Sequence, residues 1–147
     1  MKVYLDNCSY NRPFDNQSQI RIYLETQAKL YIQRLILDGR LQLATSYVSR
    51  YENGVSPHTS NKITIERFFE NTTTFVDIDK AENIEKKAEE IMQFGVKSKD
   101  ALHIACAIEA DCDYFITTDD EILKKYIGNE INVYSPIEFL NIWEGLL

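Results

Sequence analysis

Ser98-Lys99-Asp100-Ala101-Leu102-His103-Ile104-Ala105-Cys106-Ala107-Ile108, followed closely by Asp113-Tyr114-Phe115-Ile116-Thr117-Thr118-Asp119-Asp120, is the stretch that decides the fold. In its first half Ala101, Ile104, Ala105 and Ile108 recur at the spacing of one helix face, and Ser98 is placed to cap that helix. Residues 113–117 are aromatic and β-branched, the composition of a strand. A helix leading straight into an apolar strand is half of a βαβ unit. Repeated, such units imply right-handed crossovers and a parallel sheet with helices on both faces.

Outward from this stretch the same alternation recurs. Lys2–Leu5 reads as a strand ending at Asp6. Residues 7–17 read as a polar loop, with Pro13 forbidding a helix through its middle. Ser18 is the expected cap of a long helix with the apolar stripe Ile20, Leu24, Ala28, Tyr31 and Leu35, stopped by Gly39. Residues 41–45 form a second strand, and Ser46 caps a short helix that carries Glu52. A helix over 63–70 and a strand over 73–78 come next. Residues 80–94 make an amphipathic helix with an acidic outer face, punctuated by Gly95. After the strand at 113–117 come a short helix over 119–126, a last strand over 131–134 and a closing helix opened by Pro136. The expected class is α/β: a three-layer α/β/α sandwich with a central parallel sheet of four to five strands, in a single domain over residues 1–147.

Composition narrows the functions. The 147 residues include 16 Lys and Arg against 23 Asp and Glu, a formal net charge of −7, and 12% are aromatic. So aromatic a chain builds a core and does not stay disordered. Its acidic balance argues against gripping nucleic acid or an anionic membrane by bulk charge. No apolar run approaches the roughly 20 residues of a membrane helix, so no membrane role is expected. Asp6 interrupts the start before a signal-peptide core forms. Three cysteines without metal-type spacing fit reduced thiols, and the expected location is cytoplasmic. The charge is uneven: residues 1–75 carry 9 basic and 7 acidic side chains, residues 76–147 carry 7 and 16.

Open parallel sheets bind ligands beyond the carboxyl ends of their strands, and acids gather there in this chain. Asp6 follows the first strand, Asp119 and Asp120 follow the strand at 113–117, Asp100 sits in the first turn of the preceding helix, and Glu52 lies on the helix after the second strand. Crowded carboxylates repel unless a proton or cation is shared between them. Hard divalent cations such as Mg²⁺ or Mn²⁺ prefer such oxygen donors. Each acid also has an ordinary reading: a turn at Asp6, a solvated charge at Glu52, a helix-dipole partner at Asp100, a cap at Asp119 or Asp120. Their convergence from four elements favours a site. His103 shares a helix face with Asp100 and reads as a satisfied helix histidine, and His58 as a loop residue. Cys8, Cys106 and Cys112 lack a catalytic partner, and Cys106 reads as buried.

Tyr4-Leu5-Asp6-Asn7-Cys8, Thr45-Ser46 with Tyr51-Glu52, the run from Lys99 to Ala105, and Phe115-Ile116-Thr117-Thr118-Asp119 resemble, in that order, the motifs of PIN-domain nucleases. The resemblance is closer to the VapC-like toxin branch and spans most of the chain. It implies the fold derived above and a metal-dependent endoribonuclease, with RNA as substrate and Mg²⁺ or Mn²⁺ held by Asp6, Glu52, Asp100 and Asp119. Thr117 matches a threonine that sets the geometry beside the last acid. The doubled Asp119-Asp120 offers two candidates for that last ligand, and the Thr-x-Asp spacing favours Asp119. An antitoxin protein as partner and a homodimeric state are further implications.

The Asn11-Arg12-Pro13-Phe14 segment is longer than in many toxins of the family. Ser9 is a candidate contact to the scissile phosphate, and otherwise a turn hydroxyl. Arg12, Arg21 and Arg50 are candidate RNA contacts, and otherwise solvated arginines. Two other readings stay open: a catalytically silent binding module on the same fold, and a DNA- or RNA-processing nuclease with no toxin role. Dehalogenase-type phosphoryl transfer needs a second Asp two residues after the first, where Cys8 stands. Receivers need a late Lys that is missing near Tyr134.

Overall fold

Five short strands lie side by side, all parallel, in the order β3-β2-β1-β4-β5. They are β1 (Lys2–Leu5), β2 (Gln42–Ser46), β3 (Thr74–Val76), β4 (Tyr114–Ile116) and β5 (Asn132–Tyr134). The chain, seen in a computed structural model that describes residues 1–145, wraps them in eight helices. These are α1 (Asn7–Asn11), α2 (Ile20–Leu37), α3 (Tyr47–Gly54), α4 (Thr59–Phe68), α5 (Ala81–Met92), α6 (Ser98–Glu109), α7 (Asp120–Lys125) and α8 (Pro136–Gly145). The three-layer α/β/α sandwich is therefore the fold, with five strands. No described helix is long and apolar enough to cross a membrane.

The central strands are apolar on both faces because both faces are covered. Val3 and Leu5 point one way with Leu43, Tyr114 and Ile116, and pack on Ile32 and Leu35 of α2, Phe68 of α4, and Phe139 and Trp143 of α8. Tyr4, Ala44 and Phe115 point the other way, onto Ile84 and Ile91 of α5, Ile104 and Ala105 of α6, and Ile122 of α7. This is the period-two alternation of a strand, and it divides the core into two halves. In the second half the rings of Tyr4 and Phe115 stack across the β1–β4 pair, 5.6 Å apart and 13° from parallel.

Several expectations are corrected. Residues 7–17 are not a loop: α1 begins immediately after Asp6, whose side chain caps it, and Pro13 opens a 3₁₀ turn over Arg12–Phe14. Proline at the start of a helical turn loses no hydrogen bond. Ser18 does not cap α2; Gln19 takes that position, and the Ser18 hydroxyl bonds Asn16 Oδ1 at 2.7 Å. The stripe Ile20, Leu24 and Tyr31 is exposed, whereas α2 buries Ala28, Ile32, Leu35 and Ile36 together with Glu25 and Lys29. Apolar residues surround this helix, so its period alone cannot tell which face the sheet takes. Lys97, not Ser98, is the N-cap of α6. α4 starts earlier than expected, at Thr59, and the strands expected over 73–78 and 113–117 pair over three residues each. Gly39 ends α2 as expected, with φ 75° and with Arg40 N–H returning to Leu35 C=O at 2.9 Å.

Position in the sheet, not composition, sets what each aromatic is worth. Phe115 is fully buried on a central strand, while Phe75 on edge strand β3 is 39% exposed. Phe115→Ala is expected to cost about 3–5 kcal/mol and Phe75→Ala less than half of that. Urea unfolding of the two variants beside the wild type measures the difference, and similar losses would contradict this core.

Candidate active site

The order of the strands reverses at β1. The chain builds outward through β2 and β3, then returns to the other side of β1 with β4 and β5. At such a switch point the loops leaving two neighbouring strands diverge and open a crevice at their carboxyl ends. Asp6 leaves β1 there, and Thr117-Thr118-Asp119 leaves β4 beside it.

Asp6 is 3% exposed. Its Oδ1 accepts the Ser9 N–H at 2.9 Å and its Oδ2 accepts the Thr117 hydroxyl at 2.5 Å. The Thr117 oxygen in turn accepts the Asp119 N–H at 3.0 Å. One hydroxyl thereby uses its proton on one acid and a lone pair on the backbone of the next, which fixes the β4 loop against the end of β1. Burial pushes the Asp6 carboxyl up to about 6, against the opposing pull of the Thr117 and Ser9 hydrogen bonds. Among the described residues no Lys or Arg pairs with it within 4.0 Å.

Asp100, half-buried in the first turn of α6, has its carboxyl raised by burial first and then by the negative charges of Asp119 and Glu52. The Cys8 thiol on α1 is pushed up to about 12, first by desolvation and then by Asp6, Asp119, Asp100 and Glu52. The four carboxylates that act on this one thiol come from the end of β1, from α3, from α6 and from the β4 loop.

Glu52 is buried on α3 and bonded to His103 Nε2 at 2.9 Å. The other ring nitrogen, Nδ1, lies 2.7 Å from the Tyr4 hydroxyl, which also contacts Ser46 Oγ at 2.7 Å and Ser49 Oγ at 2.9 Å. With a neutral imidazole the directions follow: Nε2–H donates to Glu52, Tyr4 donates to Nδ1, and the serine hydroxyls donate to Tyr4. His103 is the satisfied histidine expected, and it also aims Glu52. The sequence does not show that Tyr4 and Ser49 support His103. Their one local signal is the Ser46-x-x-Ser49 capping box that opens α3.

Three other candidates are placed differently from expectation. The Ser9 hydroxyl donates to Ile116 C=O at 3.1 Å inside the protein, so it does not reach the crevice. Asp120 is exposed and held by both terminal nitrogens of Arg21, at 2.6 and 2.7 Å, whereas the charge of Asp119 acts on Asp100 and Cys8. Arg21 is thus engaged, and the Arg50 guanidinium lies over the Phe75 ring, 4.6 Å from its centre. Arg12 pairs with Asp15 and Glu25, each at 3.0 Å, and lines a cavity of about 310 Å³ with Asn7, Cys8, Asn11, Thr118 and Asp119. Exposed Lys97 and Lys99 flank Asp100; Lys99 Nζ is 4.0 Å from Glu52. Both lie in the acidic half of the chain, where the charge count concealed them.

No group of three or more His, Cys, Asp or Glu side chains among the described residues is arranged to hold a metal ion. Existing bonds account for part of this: His103 occupies Glu52, and the Asp119 side chain accepts Glu121 N–H as the cap of α7. The donor chemistry still fits a hard divalent cation, being anionic oxygen throughout, with Asp6 lacking the positive charge that would keep it ionised. Comparison with known protein families and with curated proteins returns no match for this chain.

Asp6 carries a pH signature. Its carboxyl is raised on folding, so in metal-free protein it contributes stability below about pH 4 that is lost as the pH rises to about 6. Asp6→Asn removes that loss. Urea unfolding in EDTA is expected to show the two proteins diverging across this window, with the variant more stable by about 1–3 kcal/mol at pH 7 to 8. A variant no more stable there than the wild type would contradict the unpaired, buried carboxylate.

Proposed function

We propose that this protein is a metal-dependent endoribonuclease of the PIN type, hydrolysing RNA phosphodiester bonds in the crevice at the β1–β4 switch point. The observation that carries the proposal is that four carboxylates, from four separate elements at the strand ends, lie close enough for all of them to raise the Cys8 thiol. Asp6 and Asp100 would hold Mg²⁺ or Mn²⁺, with Glu52 and Asp119 completing the donor set, and the ion would lower the pKa of a bound water and offset charge on the phosphate. Asp6 supplies a rigid anionic oxygen, fixed by Ser9 and Thr117. Glu52, held by His103, orients the attacking water. Lys97, Lys99 and Arg12 at the rim attract the RNA backbone, while the overall charge of −7 keeps that attraction brief.

The VapC-like resemblance extends the proposal to a toxin held by an antitoxin protein, acting as a homodimer in the cytoplasm. A competing reading is a binding module on the same fold, favoured by the bonds that already engage Glu52 and Asp119.

Cleavage of single-stranded RNA with added Mn²⁺, with and without EDTA, tests the proposal beside Asp100→Asn. Wild type should cleave only with metal, and the variant should lose about two orders of magnitude or more. Equal cleavage by both proteins would sink the nuclease assignment. Mn²⁺ binding without cleavage would favour the binding module.

A further inference from the structure

Beside α1 lies a second cavity, of about 190 Å³, bounded by α1, the Arg12–Phe14 turn, α2 and α4. Its walls are apolar, formed chiefly by Phe14, Ile65 and Phe68. Two buried polar atoms on it lack hydrogen-bond partners, and a lysine without an acid lies beside them. Lys29 of α2 is 5% exposed, and its Nζ sits 5.4 Å from the centre of the Tyr10 ring and 6.0 Å from that of Phe68. Among the described residues no carboxylate comes within 4.0 Å of that nitrogen. The Tyr10 hydroxyl is buried without a hydrogen bond, and so is Gln33 Oε1.

Lysine normally extends its ammonium to water or meets an acid. A largely buried amine with no acid beside it is costly, and burial lowers this one to about 7. Native proteins leave few buried polar groups unmatched, and two on one cavity beside a lysine with no acid is the arrangement of a ligand site: apolar walls with a few convergent polar groups.

We infer that this cavity binds a small monocarboxylate with an apolar body, its carboxylate on Lys29 Nζ and the Tyr10 hydroxyl and its body against Phe14, Ile65 and Phe68. Lysine and tyrosine both present donors, which selects an acceptor. A single ammonium matches one negative charge, and the apolar walls exclude an inorganic anion that needs its water shell. Tyr10 sits on the helix that Asp6 caps, so an occupant touches the element that carries the crevice's central acid. The inference is independent of the nuclease reading.

Benzoate and hexanoate are the probes, titrated into the full chain by calorimetry with benzyl alcohol and inorganic phosphate as controls. One carboxylate should bind per chain, at least about tenfold tighter than the neutral alcohol, and phosphate should not saturate. Lys29→Met keeps the volume and removes the charge, and should abolish the preference for carboxylate over alcohol. Tyr10→Phe keeps the ring in place and should weaken benzoate by about three- to tenfold, which tests the site even where Lys29→Met does not fold. Equal affinity for benzoate and benzyl alcohol would overturn the inference. So would benzoate binding undiminished in both variants, or no saturable binding at all.

Discussion

A carboxylate buried at the end of the central strand, with hydrogen bonds but no counter-charge, is the constraint around which this structure is arranged. β1 has neighbours on both sides and helices on both faces, so the residue that leaves it is inside the protein whatever its chemistry. Aspartate is tolerated there because β4 brings the Thr117 hydroxyl and α1 brings the Ser9 N–H to its two oxygens. Both donors depend on the sheet order, since only the strand next to β1 can deliver Thr117. Two hydrogen bonds do not replace a cation, and the raised Asp6 carboxyl reflects the shortfall. A buried, undersupplied acid is costly to stability, and such local costs are commonly retained where function uses them.

The surrounding acids are managed in different ways. Glu52 is tied to His103, and through it to Tyr4 and two serines, a chain that runs from the crevice into the second half of the core. Asp120 is turned outward by Arg21, and Asp119 caps a helix. Asp100 is raised by burial and by Asp119 and Glu52, against the pull of His103 and Lys97. This division spreads the like-charge cost, so the protein holds four carboxylates near one another without drawing them onto a single point.

Much of this was legible locally. Strands buried on both faces read as apolar runs, as at Val3-Tyr4-Leu5 and Tyr114-Phe115-Ile116. The acids after them are conspicuous because they interrupt those runs. Features that depend on distant partners were not legible. Nothing near Ser9 shows that its hydroxyl meets Ile116, and nothing near Glu52 shows that His103, 51 residues away, will hold it. α1 was hidden because its cap is Asp6, the residue that otherwise marks a strand end. α2 carries apolar side chains around its circumference, so its period was compatible with either face and the packing of Ile32 and Leu35 on the sheet decided it.

The amino-acid sequence by itself determined the alternation of strands and helices, the parallel three-layer class and the placing of acids at strand ends. Those properties follow from short-range sterics and from the periods at which apolar side chains recur, which neighbouring residues suffice to express. Tertiary structure alone decided that β4 lies beside β1, that Arg21 turns Asp120 outward, and that Lys29 is enclosed away from any acid. These depend on which distant surfaces bury one another best. That choice is a sum over contacts spread along the whole chain, and no single stretch of it contains the answer.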